Sequence, residues 1–270
     1  MKKQCFLILI HKEIDEYRSF FLENKDKNFY IHVDLKSDFF RISQGFKDVN
    51  NIFFIDNRID IKWAGFSMVQ ATINLIDFAL NHDKENEYFH LVSGDDVVLA
   101  KSTMWEDDSI YMECRVSTAH QYRMRFNTPH ADTLYQRTFV GKALTQFYKT
   151  LAKLLPTHEK YYFGSQWFSI RRQQLLQMMS SITREDIEFF RKKLCPDEHF
   201  FQYLIIKNML LNQISTSGNK RFIIFDQFYQ RGSSPIFLDL DQLIEAKSKN
   251  YWFARKVERN TMSKFYELNK

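Results

Sequence analysis

Tyr88-Phe89-His90-Leu91-Val92-Ser93-Gly94-Asp95-Asp96 is an apolar, strand-forming run that ends abruptly in a polar turn. Similar runs lie upstream: Cys5–Ile10, Phe29–Val33 and Asn51–Ile55 are rich in β-branched and aromatic residues. Helical stretches separate them. Glu13–Glu23 follows the first run, and Ser67 with Gln70 makes a capping-box pattern ahead of Val69, Ile73, Ile76 and Leu80. This alternation predicts an α/β fold, a doubly wound and mostly parallel sheet flanked by helices. Ligands of such sheets collect beyond the carboxyl ends of the strands, so the turn Ser93–Asp96 marks a binding edge.

Downstream, Ile110–Val116 and Tyr162–Ile170 read as strands, and Phe222–Phe225 as the last one. Leu144, Phe147, Tyr148, Leu151 and Leu155 define one side of a helix that stops at Pro156. Thr183 caps a short helix. Pro196 opens a longer one, with Phe200, Phe201, Leu204, Ile205 and Leu211 inward. No linker or repeat interrupts residues 1–270, which read as one domain.

Composition narrows the function classes. Hydrophobic residues make up 44% and charged residues 26%, as in an ordinary globular chain. Cys5, Cys114 and Cys195 are too few and too far apart for a disulfide framework or a zinc site, and imply a reducing compartment. The apolar run after Met1 is too short for a signal peptide and reads as a buried strand. No run is long enough to span a bilayer. Within Gln121–Lys160, seven basic residues face two acidic ones, a surplus equal to the +5 of the whole chain. Such a local surplus points to an anionic partner.

Polar clusters at element ends recur in order: His11-Lys12, Tyr30–Ser37, Trp63–Val69, Phe89–Asp96, Gly164–Phe168, Pro196-Asp197-Glu198 and Phe253–Lys256. Together they resemble the core-2/I-branching and xylosyltransferase-type glycosyltransferases, from the first strand to Lys256 and most weakly between Cys114 and Lys160. The resemblance implies a GT-A fold, a nucleotide-sugar donor, no metal and inversion at the anomeric carbon. It implies that Glu198 is the base that deprotonates the attacking hydroxyl. Lys256, with Arg255 beside it, meets the charge on the leaving diphosphate. The family's second cation has no direct counterpart, and Arg231 stands nearest. Asp34 and Trp63 fall on the donor side. Glu113, Trp167 and Phe225 fall on the acceptor side. Asp95 and Asp96, where one Asp is usual in the family, read as sugar contacts in place of a metal-binding Asp-x-Asp. By spacing alone each motif also has a plain structural role: Pro, Asp and Glu suit any first helical turn, and Ser67 suits an N-cap.

The sequence therefore predicts an inverting, metal-independent enzyme without cofactor, transferring a sugar, expected to be N-acetylglucosamine from its UDP donor, to a glycan or glycolipid. A cytoplasmic bacterial enzyme is expected, acting on lipopolysaccharide or capsule, with the basic stretch against an anionic membrane. Two other classes compete. A glycan-binding module would lack turnover, which an intact Glu198 and Lys256 argue against. A nucleic-acid-binding protein would use the basic, aromatic residues 121–160 and show salt-dependent binding; no nucleic-acid partner is expected.

Overall fold

The computed structural model describes residues 3–100, 108–226 and 234–269. Its strands are β1 (Lys3–Ile10), β2 (Asn28–Val33), β3 (Ile52–Phe54), β4 (Asn86–Ser93), β5 (Asp96–Val98), β6 (Arg115–Val116), β7 (Tyr162–Phe163), β8 (Ser169–Arg171), β9 (Arg221–Ile223) and β10 (Phe253–Arg255). Its helices are α1 (Arg18–Glu23), α2 (Phe39–Gln44), α3 (Phe66–His82), α4 (Tyr122–Arg125), α5 (Phe139–Leu154), α6 (Arg172–Ser180), α7 (Arg184–Phe190), α8 (Phe200–Lys207), α9 (Leu240–Ser248) and α10 (Arg259–Leu268).

The central sheet runs β3-β2-β1-β4-β8. The first four strands are mutually parallel and β8 is an antiparallel edge. Both faces are covered, as a parallel sheet requires. Side chains alternate along β1. Cys5, Leu7 and Leu9 pack with α3, α6 and α8, whereas Phe6, Ile8 and Ile10 pack toward α1, β10 and α10. The chain winds outward from β1 to β3 and then returns to place β4 on the other side of β1. The order thus reverses between β1 and β4, which opens a crevice at their carboxyl ends. A second sheet, β5-β10-β9, begins at that crevice, because β5 starts just beyond the Ser93-Gly94-Asp95 turn.

Local expectations needed correction where tertiary partners outweigh local signals. Tyr162–Ile170 is two short strands, β7 and β8, around a Gly164–Phe168 loop. Ile110 and Tyr111 make only isolated bridges, to Ile214 and Ser169. The last strand is β10, not the one near Phe222. Pro196–Glu198 is a separate 3-10 turn, and α8 begins after it at Phe200. Ser67 does not cap α3. Gly65 holds that position, and the Asp132 carboxylate accepts from the Ser67 N–H (3.1 Å) and hydroxyl (2.5 Å). A Cβ on Gly65 would lie 1.9 Å from that carboxylate, so the arrangement requires glycine. Of the apolar residues expected to pack one side of α5, Phe147 and Leu155 are exposed.

Candidate active site

The crevice between β1 and β4 gathers charge from three directions. Leu9 pairs in register with Ser93, so His11-Lys12 and Ser93–Asp96 leave the sheet side by side. Arg255 of β10 pairs in register with Asp96 of β5, which brings Lys256 to the same place. Asp95 forms ion pairs with Lys12 and with Lys256, the latter at 3.2 Å. Burial opposes the charge on Asp95, but the two ammonium groups prevail and hold its carboxyl below the usual range. Asp96 is buried and accepts from the Ser93 N–H (2.8 Å) and hydroxyl (3.0 Å), with the Arg255 guanidinium 3.6 Å away. There burial prevails and raises the carboxyl, with Arg255 only partly offsetting it.

Beside this cluster lies a cleft of about 470 Å³, lined by His11, Lys12, Asp34, Lys36, Arg41 and Arg259 among others. Asp34 sits at the end of β2. Its carboxylate accepts from the Lys36 N–H at 3.0 Å and pairs with the Lys36 ammonium at 3.3 Å. His32 is buried within β2, where its ring accepts from the Ile59 N–H (2.9 Å).

Glu198 ends the 3-10 turn after Cys195, and Arg123 of α4 donates to its Oε2. The carboxylate is about one-third exposed, whereas Arg123 is mostly covered. Tyr122 and Phe163 lie within cation–π reach of the Arg123 guanidinium. Burial and the Arg123 charge push His199 down to about 3 and His120 to about 4, so both imidazoles stay neutral at pH 7. The His199 Nδ1 faces the Tyr162 carbonyl at 2.6 Å and must donate to it.

The loop Gly164–Phe168 joins the two clusters. Gly164 N–H donates to the Glu198 carbonyl (3.0 Å), and Ser165 N–H donates to the Glu113 carboxylate (3.1 Å). Trp167 presents its ring to Arg255, whose guanidinium lies 4.3 Å from the ring centre. A Cβ on Gly164 would meet the Glu113 carbonyl at 1.9 Å, so only glycine admits this approach. The Trp63 loop is tied in as well: Ala64 carbonyl accepts from Cys195 N–H (3.1 Å) and from the Gln136 side chain (3.1 Å).

The structure therefore brings Glu198, Glu113, Trp167, Arg255, Lys256, Asp95 and Asp96 into one connected stretch. Asp34 lines the adjoining cleft. Trp63 is 51% exposed with Arg137 over its ring, and Phe225 is 56% exposed beyond the end of β9. Arg231 lies outside the described residues. The Asp pair, read from the sequence as sugar contacts, has Lys12, Lys256 and Arg255 as cationic neighbours. Among the described residues, no three His, Cys, Asp or Glu side chains gather as metal ligands. Sequence reasoning missed two partners. Lys12 had a signal, its place directly after the first strand. Arg123 had none, being 75 residues from Glu198.

A mostly parallel sheet flanked by helices, with a charged crevice at its switch point, is consistent with a GT-A-like glycosyltransferase domain. The chain belongs to the Core-2/I-branching enzyme family, whose model matches residues 5–251. Membership brings glycosyltransferase activity, with a nucleotide-sugar donor and a glycan acceptor. Arg255 and Lys256 lie just beyond the matched residues, so their assignment rests on the pairing of β10 with β5. No curated protein matches the chain at a significant level.

Proposed function

We propose that this glycosyltransferase is inverting and metal-independent, and that it moves N-acetylglucosamine from UDP-N-acetylglucosamine to a hydroxyl of a bacterial surface glycan such as lipopolysaccharide or capsule, at the cytoplasmic face of the inner membrane. The observation that carries the reading is the ion pairing of Asp95 with both Lys12 and Lys256 at the β1–β4 crevice. Two ammonium groups set side by side suit a diphosphate, whose oxygens form charge-assisted hydrogen bonds with them. Lys12 would supply the second cation for which the sequence offered Arg231.

The cleft holding Asp34 would take the uridine and ribose, and Trp63 would flank it. In the reaction the acceptor oxygen attacks the anomeric carbon from the face opposite the diphosphate. The new C–O bond forms as the bond to the β-phosphate oxygen breaks. Glu198 takes the hydroxyl proton, and UDP leaves with the bonding pair, its growing charge met by Lys12, Lys256 and Arg255. Glu113, exposed Phe225 and the edge of Trp167 would receive the acceptor sugar. Metal independence is supported by the Asp pair: both carboxylates where an Asp-x-Asp would bind metal already have cationic partners.

The test is UDP release from UDP-N-acetylglucosamine, together with a thermal-shift series of nucleotide sugars, each with and without EDTA. Turnover and stabilisation by the UDP sugar should both survive EDTA. Loss restored by manganese or magnesium would make Asp95 and Asp96 metal ligands and overturn the metal-free reading.

A further inference from the structure

Helix α5 carries bulky apolar residues on the side that faces away from the protein as well as on the side that packs against it. Gly141 and Ala152 are buried, and Leu144, Tyr148 and Leu151 are half-buried on the same side, where Tyr148 packs against Phe126 and His130. Outward lie Phe139 (86% exposed), Val140, Phe147 and Leu154 (72%). Val140, Phe147 and Leu154 are spaced by seven residues and therefore stack along one stripe. Leu134 (79% exposed) and Tyr135, in the turn just before the helix, extend the patch. Lys142, Lys149 and Lys153, all exposed, form a second row along the same helix. From Thr133 to Thr157 the chain carries four basic residues and no acidic one.

An exposed apolar stripe of this length is unusual on a soluble surface and marks a contact. Its charge selects the partner. A second copy would set basic rows against basic rows, whereas an anionic lipid surface offers both an apolar interior and opposite charge. An apolar stripe beside lysines, with low overall hydrophobicity, is the pattern of helices that lie in the headgroup region. No described helix is long and apolar enough to cross a membrane, and this one would lie along it. We propose that α5 docks the enzyme on an anionic membrane by inserting Phe139, Val140, Phe147 and Leu154 into one leaflet.

The placement reaches the candidate active site through one short helix. Arg125 of α4 donates to the Ala152 carbonyl of α5 (3.2 Å) and to the Leu155 carbonyl just after it, while Arg123 of the same short helix pairs with Glu198. Docking would thus set the Glu198 loop close to the headgroups, where a lipid-linked acceptor presents its sugar. This last step rests on the proposed transfer; the docking itself does not.

The experiment is vesicle flotation of the full chain with phosphatidylcholine alone and with added phosphatidylglycerol. UDP-induced thermal shift is measured on every variant, so that donor binding and folding are read separately from docking. Wild type should float only with anionic vesicles. Replacing Lys142, Lys149 and Lys153 by Ala should lower partitioning on the order of 100-fold, and Phe147→Ser with Leu154→Ser should lower it at least about tenfold, with the UDP shift kept in both. Equal flotation on neutral vesicles, none on anionic vesicles at low ionic strength, or apolar substitutions without effect would overturn the proposal. So would a dimer in solution that Phe147→Ser dissociates, since the face would then belong to a second copy.

Discussion

In the proposed mechanism the site has a donor end and a base end, and the two are built by different means. At the donor end, Lys12, Asp95, Asp96, Arg255 and Lys256 all lie within two residues of a strand end. Their relative positions follow from backbone pairing, Leu9 with Ser93 and Arg255 with Asp96. At the base end, Glu198 comes from a 3-10 turn and Arg123 from the one-turn helix α4, far apart in sequence. They are held by side-chain contacts and single loop hydrogen bonds, such as Cys195 N–H to Ala64 carbonyl. A strand-end site resists single substitutions because the sheet holds its geometry, whereas a site set by side chains moves when one of them is removed.

Arg123 should therefore be the most sensitive position outside the base itself. Arg123→Met should lower turnover by roughly 10²-fold while UDP affinity, measured by calorimetry, stays within a factor of two or so. A matching loss of UDP affinity would show that the two ends are not separable.

The donor end should respond more mildly and to one ligand only. Lys12→Ala and Lys256→Ala should each weaken UDP by about tenfold and leave uridine binding unchanged. Both lysines share Asp95, so their effects should not add in the double variant. Equal weakening of uridine would mean that the lysines shape the cleft without touching the diphosphate.

The smallest effect concerns stability near the base. Burial, and then the charge of Glu198, raises the Asp197 carboxyl above the ordinary range, and its Oδ1 is buried with no hydrogen-bond partner among the described residues. Above the ordinary carboxylate pKa, the folded chain keeps a proton that the unfolded chain has released. The stability this contributes is complete below that pKa and is lost as pH rises through the raised folded value. Asp197→Asn should flatten that fall in a Tm-against-pH series. An unchanged slope would assign the pH dependence to other groups.

What could be read from the sequence follows the same division. β1, β2, β3 and β4 are continuous apolar runs closed by polar turns, so the sheet and the crevice at Asp95-Asp96 were legible. Lys256 and Glu198 were legible as motif positions. Arg123 was not, because a lone arginine in a basic stretch gives no clue to a carboxylate met only in the folded chain. Capping of α3 by Asp132 was hidden for the same reason, and Ser67 was credited with a role that a residue 65 positions away performs. The α5 pattern was visible as amphipathic, but periodicity alone does not say which face meets the core. Leu144, Tyr148 and Leu151 do turn toward the body, beside Gly141 and Ala152, whereas Phe147 and Leu155 do not.

The central claim is that Glu198 performs the proton transfer while the lysine pair at Asp95 binds the donor. It is tested most directly by Glu198→Gln, assayed for UDP release and for UDP-sugar affinity on the same preparation. The account predicts turnover lower by roughly 10²-fold or more with affinity unchanged. Near-normal turnover in a variant that still binds the donor would contradict it.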